Sequence, residues 1–179
     1  MATKSKTDVM ELKGAFLRIG ARVLCRFVPI RPRRIRRVDA TRVEMEQPSV
    51  RLDVRSDAKG EYFDVRVDER EAPRVVRVVD AKPALRHLLL QVEDAAGEKA
   101  KFLCGHDERH WFVAAIPEAA RGVRDVRSAM DALQPPPVRE GVARRGVKAK
   151  DRHRRKTAAY RRQGEWFFVP APSFNPAGA

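Results

Sequence analysis

The sequence has little cysteine, no long apolar run and none of the short motifs that mark common enzyme sites. Two cysteines among 179 residues cannot form a disulfide framework, so we expect reduced thiols and a cytoplasmic location. Residues 1–20 lack the continuous apolar stretch of a signal peptide, and no segment is apolar over a length that crosses a membrane. Gly-rich phosphate loops and GxSxG elbows are also missing. We therefore predict no catalytic residues, no cofactor and no enzymatic activity.

Positive charge dominates what is present. The chain carries 38 Lys and Arg against 24 Asp and Glu, a formal net charge of +14. Residues 18–38 contain eight arginines and no acidic residue, and residues 139–162 contain eleven Lys and Arg with two acidic residues. Such a local concentration indicates a polyanionic partner. The alternative is that arginine-rich surfaces accompany a GC-rich genome, in which case the charge has no specific ligand.

The clearest fold signal lies in residues 85–116, where alternating apolar residues, turn residues and aromatics agree. They predict an antiparallel meander of three strands and two turns: Leu85–Glu93, loop 94–98, Lys99–Cys104, turn 105–108 and Arg109–Ile116. In this register Leu90 lies opposite Phe102, Phe102 faces Trp111, and Glu93 pairs with Lys99. The face that must be buried consists of Leu88, Leu90, Val92, Ala100, Phe102, Cys104, Trp111 and Val113.

The other elements complete an α+β fold: a mostly antiparallel, partly closed β-sheet with one or two helices and a long basic excursion. One predicted helix begins at Asp8, and a second covers Val123–Leu133. The predicted strands are Ala21–Val28, Ser49–Arg55, Glu61–Val67 and Arg74–Asp80. The predicted organisation is a disordered N-terminus (1–7), an α+β body (8–133), a basic linker or marginal helix (134–162), a closing strand that returns to the body (163–170) and a tail (171–179). Within the linker, Lys148–Gln163 lacks Gly and Pro but has arginines on every side, so a helix there would bury little.

A group of polar residues around the second turn resembles a metal site in composition. Cys104, His106, Asp107, Glu108 and His110 include residue types that bind zinc. Their spacing matches no common zinc motif, and Cys104 and His110 point to opposite faces of the predicted sheet. A thiol facing the core would have a raised pKa, which argues against a nucleophile. We therefore interpret this segment as a polar turn and predict no metal site.

Aromatic residues beside the second basic segment give two alternatives. Trp166, Phe167 and Phe168 could form a stacking platform for single-stranded bases, or they could form a core strand. A strand with large apolar residues on both faces is more often buried, so the core strand is preferred. Tyr160, inside the basic segment, is then the better candidate for stacking on a base.

Two segments resemble parts of uncharacterised bacterial hypothetical proteins. They are CGHDERHWFVAAIP, from Cys104 to Pro117, and RQGEWFFVP, from Arg162 to Pro170. No function attaches to that family. The resemblance implies only that the meander and the closing strand belong to one domain unit.

The function predicted from these features is non-catalytic nucleic-acid binding through phosphate contacts, with RNA favoured over DNA. The alternative is a protein-interaction or assembly module whose basic segments bind an acidic protein. The predicted contact residues are Arg31, Arg33, Arg34, Arg36, Arg37, Arg144, Arg145, Lys148, Lys150, Arg152, Arg154, Arg155, Lys156, Tyr160, Arg161 and Arg162.

Overall fold

The computed structural model of the chain describes residues 3–30, 33–35, 44–46, 50–69, 75–94, 97–164 and 166–170. The α-helices are α1 (Thr3–Arg18), α2 (Val126–Ala132) and α3 (Pro136–Arg144). The strands are β1 (Val23–Phe27), β2 (Arg33–Ile35), β3 (Glu44–Glu46), β4 (Val50–Asp57), β5 (Gly60–Val67), β6 (Val75–Lys82), β7 (His87–Glu93), β8 (Lys99–His106), β9 (Trp111–Ala115), β10 (Arg161–Gln163) and β11 (Trp166–Phe168). Two compact units result, Met1–Ala129 and Met130–Ala179.

The predicted α+β class with mostly antiparallel sheets is confirmed. The described strands form four open sheets with the orders β1-β5-β4, β2-β3, β6-β7-β8-β9 and β10-β11, and none of these is closed into a barrel. Three α-helices are present in the described chain, where one or two were expected. Helix α1 begins at Thr3, before the predicted start at Asp8.

The first unit is built on a three-stranded sheet in which β5 is central. Strand β1 runs parallel to β5, with Val23 beside Phe63, and β4 runs antiparallel to it. Alternation along β5 sends Phe63 and Val65 into the core and Asp64 to the opposite face. Helix α1 covers the apolar face because its buried residues Leu12, Ala15 and Phe16 recur at helical spacing, and Ile19 directly after the helix continues the same row.

The four-stranded sheet contains the predicted meander, with one correction. Between β7 and β8 the predicted register is confirmed, including Leu90 opposite Phe102 and Glu93 opposite Lys99. Strand β9 is displaced by four residues, so that Trp111 lies opposite His106 rather than Phe102. The predicted turn at 105–108 is wrong because β8 continues through His106 before the chain reverses. An even displacement keeps every side chain on its predicted face.

The core face of this sheet packs with α1 and the first sheet. Leu88, Leu90 and Cys104 are fully buried in one apolar cluster with Phe16 and Phe63. Burial raises the pKa of the Cys104 thiol, as predicted for a residue on this face. Cys104 is therefore a packing residue rather than a nucleophile.

Gly105 lets two aromatic rings approach the backbone of β8. A Cβ at this position would lie 2.6 Å from Cδ2 of His87 and 2.8 Å from Cζ of Phe112. Both distances are shorter than any side chain tolerates without displacement. Gly105 thus belongs to the strand for steric reasons, although glycine usually indicates a turn.

The second unit has a small core of its own. Val138 and Val142 of α3 pack against Ala159 and Tyr160, and Phe167 of β11 packs against this cluster. Between α3 and β10 the chain forms a short 3₁₀ helix at Ala149–Asp151 and a series of turns.

Two predictions about the C-terminal region are therefore wrong. The marginal helix over Lys148–Gln163 does not form, because the segment folds back to place Ala159 and Tyr160 against α3. The strand predicted to close on the body pairs instead with β10, so β11 and the meander lie in different units.

We predict that Gly105→Ala lowers the free energy of unfolding by about 1–3 kcal/mol, because the added methyl group displaces the rings of His87 and Phe112. Urea unfolding of the full chain measures the change. Gly14→Ala is the matched control: its Cβ would lie 3.8 Å from Nη1 of Arg18, which is ordinary contact. Because Gly14 is inside α1, that control should gain up to about 1 kcal/mol. Equal stability of Gly105→Ala and the natural protein would contradict the steric argument.

Candidate nucleic-acid interface

A two-stranded hairpin carries the aromatic residues at the end of the described chain. In the β10–β11 pair, Arg161 lies opposite Phe168, Arg162 opposite Phe167 and Gln163 opposite Trp166. Gly164 follows β10 with a φ of 57°, a left-handed conformation that glycine adopts without strain. The turn therefore begins at the residue that best tolerates it.

The two faces of this hairpin differ sharply in exposure. Phe167 points inward, with its ring 5.2 Å from that of Tyr160. Trp166 and Phe168 point to the other face and are 75% and 58% exposed. Directly opposite residues share a face, so exposed Arg161 lies beside Phe168 on the outward side. We call Arg161, Gln163, Trp166 and Phe168 the outer hairpin face.

Tyr160 is not available for stacking, contrary to the sequence prediction. Its side chain is 2% exposed, and its hydroxyl donates a hydrogen bond to the carbonyl oxygen of Arg152. Burial also raises the pKa of the Tyr160 hydroxyl. The sequence prediction is therefore wrong about burial: Tyr160 belongs to the small core of the second unit, and Trp166 and Phe168, expected in a core strand, are exposed.

Cationic side chains of the second unit are largely exposed. The predicted contact residues that are exposed here are Arg144, Arg145, Lys148, Lys150, Arg152, Arg154, Arg155, Lys156 and Arg161. Arg162 is half-buried, and its guanidinium lies 6.0 Å from the centre of the Phe167 ring. Asp151 offsets one of these charges through an ion pair of 3.0 Å with Arg154. We call the exposed cations the basic surface of the second unit.

The predicted contacts in the N-terminal basic segment are only partly described. Arg33 and Arg34 lie in β2, which pairs with β3 so that Arg33 is opposite Glu46. Arg31, Arg36 and Arg37 fall outside the described residues. The described part of this segment is therefore a strand at 33–35.

The polar residues around the second predicted turn make contacts in different parts of the first unit. Cys104 is in the core, the His106 ring packs edge-on against Trp111 at 4.8 Å, and His110 Nδ1 lies 2.8 Å from Oε1 of Glu61. Among the described residues, no group of three or more His, Cys, Asp or Glu side chains is arranged to hold a metal. Packing and hydrogen bonding therefore account for the positions of Cys104, His106 and His110.

Comparison with known proteins does not assign a function to this surface. No known protein family, curated protein or solved structure matches the chain. Within the described residues, no helix is both long and apolar enough to cross a membrane.

We predict that Tyr160→Phe reduces the local stability of the second unit by about 1 kcal/mol, because the hydroxyl loses its bond to Arg152. Amide hydrogen exchange of Arg162, whose N–H donates to the Arg155 carbonyl at 2.7 Å, should accelerate about fivefold. The Phe63 amide, bonded to the Arg22 carbonyl at 2.9 Å in the first unit, is the internal control. Unchanged exchange of Arg162 would contradict a structural role for the hydroxyl.

Proposed function

We propose that the second unit binds single-stranded nucleic acid, with RNA as the natural ligand. The observation that carries the proposal is the outer hairpin face, where Trp166 and Phe168 are exposed next to Arg161. Proteins that bind single strands combine aromatic side chains, which stack on bases, with cations that follow the phosphates. Unpaired bases that can reach such side chains are the usual target of proteins that recognise RNA.

The spacing of the two aromatic side chains favours a single strand over a duplex. Trp166 and Phe168 are two positions apart on one strand, a separation of roughly 6.6 Å. This is about twice the 3.4 Å rise between stacked nucleotides of one duplex strand. Bases stacked on both rings must therefore be spread apart, which a paired and stacked duplex resists.

The basic surface supports the same ligand through phosphate charge. Its lysines and arginines are exposed, and two nearby acidic residues have contacts of their own: Asp151 pairs with Arg154 at 3.0 Å, and Oδ1 of Asp131 lies 2.8 Å from Nε2 of His153. Glu140 of α3 is exposed and reduces the positive excess by one charge. The backbone between α3 and β10 is ordered by the Tyr160 contact, so little chain entropy is lost when a ligand binds. We therefore expect no large gain of helix on binding.

The stacking contribution is tested by changing Trp166 and Phe168 separately to Ala. Each change should weaken binding of a short oligouridine by about 1–3 kcal/mol, because one base loses its stacking partner. Fluorescence anisotropy at fixed salt measures the affinity. Since both side chains are exposed, the free energy of unfolding should stay within about 0.5 kcal/mol of the natural value.

Two controls sharpen this experiment. Phe27→Ala removes a 46% exposed aromatic side chain from the first unit and should leave the affinity unchanged. Oligodeoxyuridine differs from oligouridine only in lacking the 2′-hydroxyl, and weaker binding of it would support RNA as the ligand. Unchanged affinity of both alanine variants for oligouridine would contradict the stacking proposal.

The phosphate contribution is tested by changing Lys148, Lys150, Lys156 and Arg161 together to Gln. Log affinity for single strands falls with log salt, and each lost phosphate contact should reduce the slope by about 0.7. The matched control removes as many exposed charges from the first unit, through Gln at Lys59, Arg109, Arg121 and Arg127. Equal slopes for these two variants would contradict the proposed surface.

Polyglutamate that competes as well as oligouridine, with or without Trp166, would favour an acidic protein partner instead.

A further inference from the structure

The first unit contains an unusual row of arginines on the polar face of the sheet β1-β5-β4. Arg26 of β1 lies opposite Arg66 of β5, and Arg66 lies opposite Arg51 of β4. Like charges that face each other across strands are destabilising. A row of three therefore requires a compensating anion, from the protein or from a ligand.

Asp64 supplies part of that compensation. Its side chain is 0% exposed, and Arg26 donates to Oδ1 from Nε and Nη2 at 3.2 and 2.6 Å. Arg66 donates to Oδ2 from the same two atoms at 2.8 and 2.6 Å, and Nε of Arg55 lies 3.0 Å from Oδ2. Burial alone would raise the pKa of Asp64, but the hydrogen bonds from Arg26 and Arg66 lower it overall. The carboxylate is thus ionised and holds three guanidinium groups in fixed orientations.

One carboxylate does not exhaust the donors of three arginines. The bonds to Asp64 use Nε and Nη2 of Arg26 and Arg66, so it does not engage their Nη1 groups, nor either Nη of Arg55. A guanidinium carries five N–H donors in a rigid fork. The side chains of Arg26, Arg55 and Arg66 are 40%, 48% and 22% exposed, so solvent reaches the cluster.

The charge around Asp64 remains positive after the acidic neighbours are included. Asp53 lies opposite Asp64 and reduces the excess, while Arg51 adds to it. Asp57 is at the far end of the face and is already bound, with Arg22 Nη2 2.7 Å from its Oδ2 and the Lys59 amide 2.8 Å from its Oδ1. Asp68 lies two positions beyond Arg66, and its Oδ2 accepts a hydrogen bond from the Ile30 amide at 3.2 Å. Four arginines (Arg26, Arg51, Arg55 and Arg66) therefore stand against three carboxylates (Asp53, Asp64 and Asp68).

We propose that this cluster is an anion site that binds a phosphoryl group through the guanidinium donors Asp64 leaves unused. Arginine forks match the oxygens of phosphate, and a buried carboxylate that fixes their orientation reduces the entropy lost on binding. The site lies wholly in the first unit and does not depend on the function proposed for the second. The phosphoryl group belongs either to a small phosphate compound or to a nucleic-acid backbone.

The test is a titration of the full chain with inorganic pyrophosphate at constant ionic strength, followed by NMR of the arginine Nε–H groups. Saturable shifts are expected at Arg26, Arg55 and Arg66. Arg55→Gln should raise the dissociation constant about tenfold, since a charge-assisted contact is lost. Asp64 keeps its bonds to Arg26 and Arg66 in that variant, so the sheet should remain folded. Arg55→Lys, which restores the charge without the fork, should recover only part of the affinity.

Arg77→Gln is the control. This arginine is exposed, and within the described chain its guanidinium donates a single hydrogen bond, to Oε1 of Gln91 at 3.3 Å. Shifts that do not saturate, or equal losses in the Arg55 and Arg77 variants, would overturn the proposal. The titration is repeated with oligouridine on a chain carrying Trp166→Ala and Phe168→Ala. If pyrophosphate shifts the cluster resonances and oligouridine does not, the ligand is a small phosphate compound. If both shift them, the site also accepts the phosphate groups of nucleic acid. Either result stands whether or not the second unit binds RNA.

Discussion

The first unit depends on the packing of one side chain, Phe63, in the central strand of its first sheet. Its ring lies 4.7 Å from that of Phe16 in α1 and 5.4 Å from that of Trp111 in β9. A single residue therefore connects the helix, the three-stranded sheet and the four-stranded sheet. Because side chains alternate along a strand, burial of Phe63 also forces Asp64 to the opposite face, where the arginines gather. The alternation of side chains along β5 therefore places the apolar core on one face of this sheet and the charged cluster on the other.

The local sequence pattern was sufficient to predict how β7 pairs with β8, but it did not predict how β9 pairs with β8. Alternation, together with the opposite charges of Glu93 and Lys99, admits only one register for β7 and β8. A displacement of β9 by four residues keeps all faces unchanged, so alternation cannot detect it. In the observed register Phe112 lies opposite Gly105 with its ring close to the backbone of β8, a contact that exists only after the strands have paired. The parallel β1–β5 pair is likewise a long-range contact without a local signal.

The candidate sites were predictable in charge but not in geometry. Most of the lysines and arginines expected in the second basic segment are exposed, because charged side chains seldom find burial partners. Tyr160 is buried and Trp166 is exposed, the reverse of the prediction, since a segment with apolar residues on both faces does not indicate which face the core will use. The cluster around Asp64 was missed altogether. Arg26, Asp64 and Arg66 each lie on the polar side of a predicted strand, but only the pairing of β1 with β5 brings them together.

The backbone between α3 and β10 makes the second unit an unusual substrate for trypsin. Cleavable bonds after lysine and arginine are dense there, yet the chain is held by the hydrogen bonds of Tyr160 and by backbone bonds such as Arg162 N–H to the Arg155 carbonyl. A protease needs an extended, released backbone, so each cut must wait for local opening of this small core. Where opening and closing are fast relative to cleavage, the rate of proteolysis follows the equilibrium population of the open form. The abundance of arginine, which dictates the charge of the unit, thus also makes proteolysis a sensitive measure of how firmly the unit is folded.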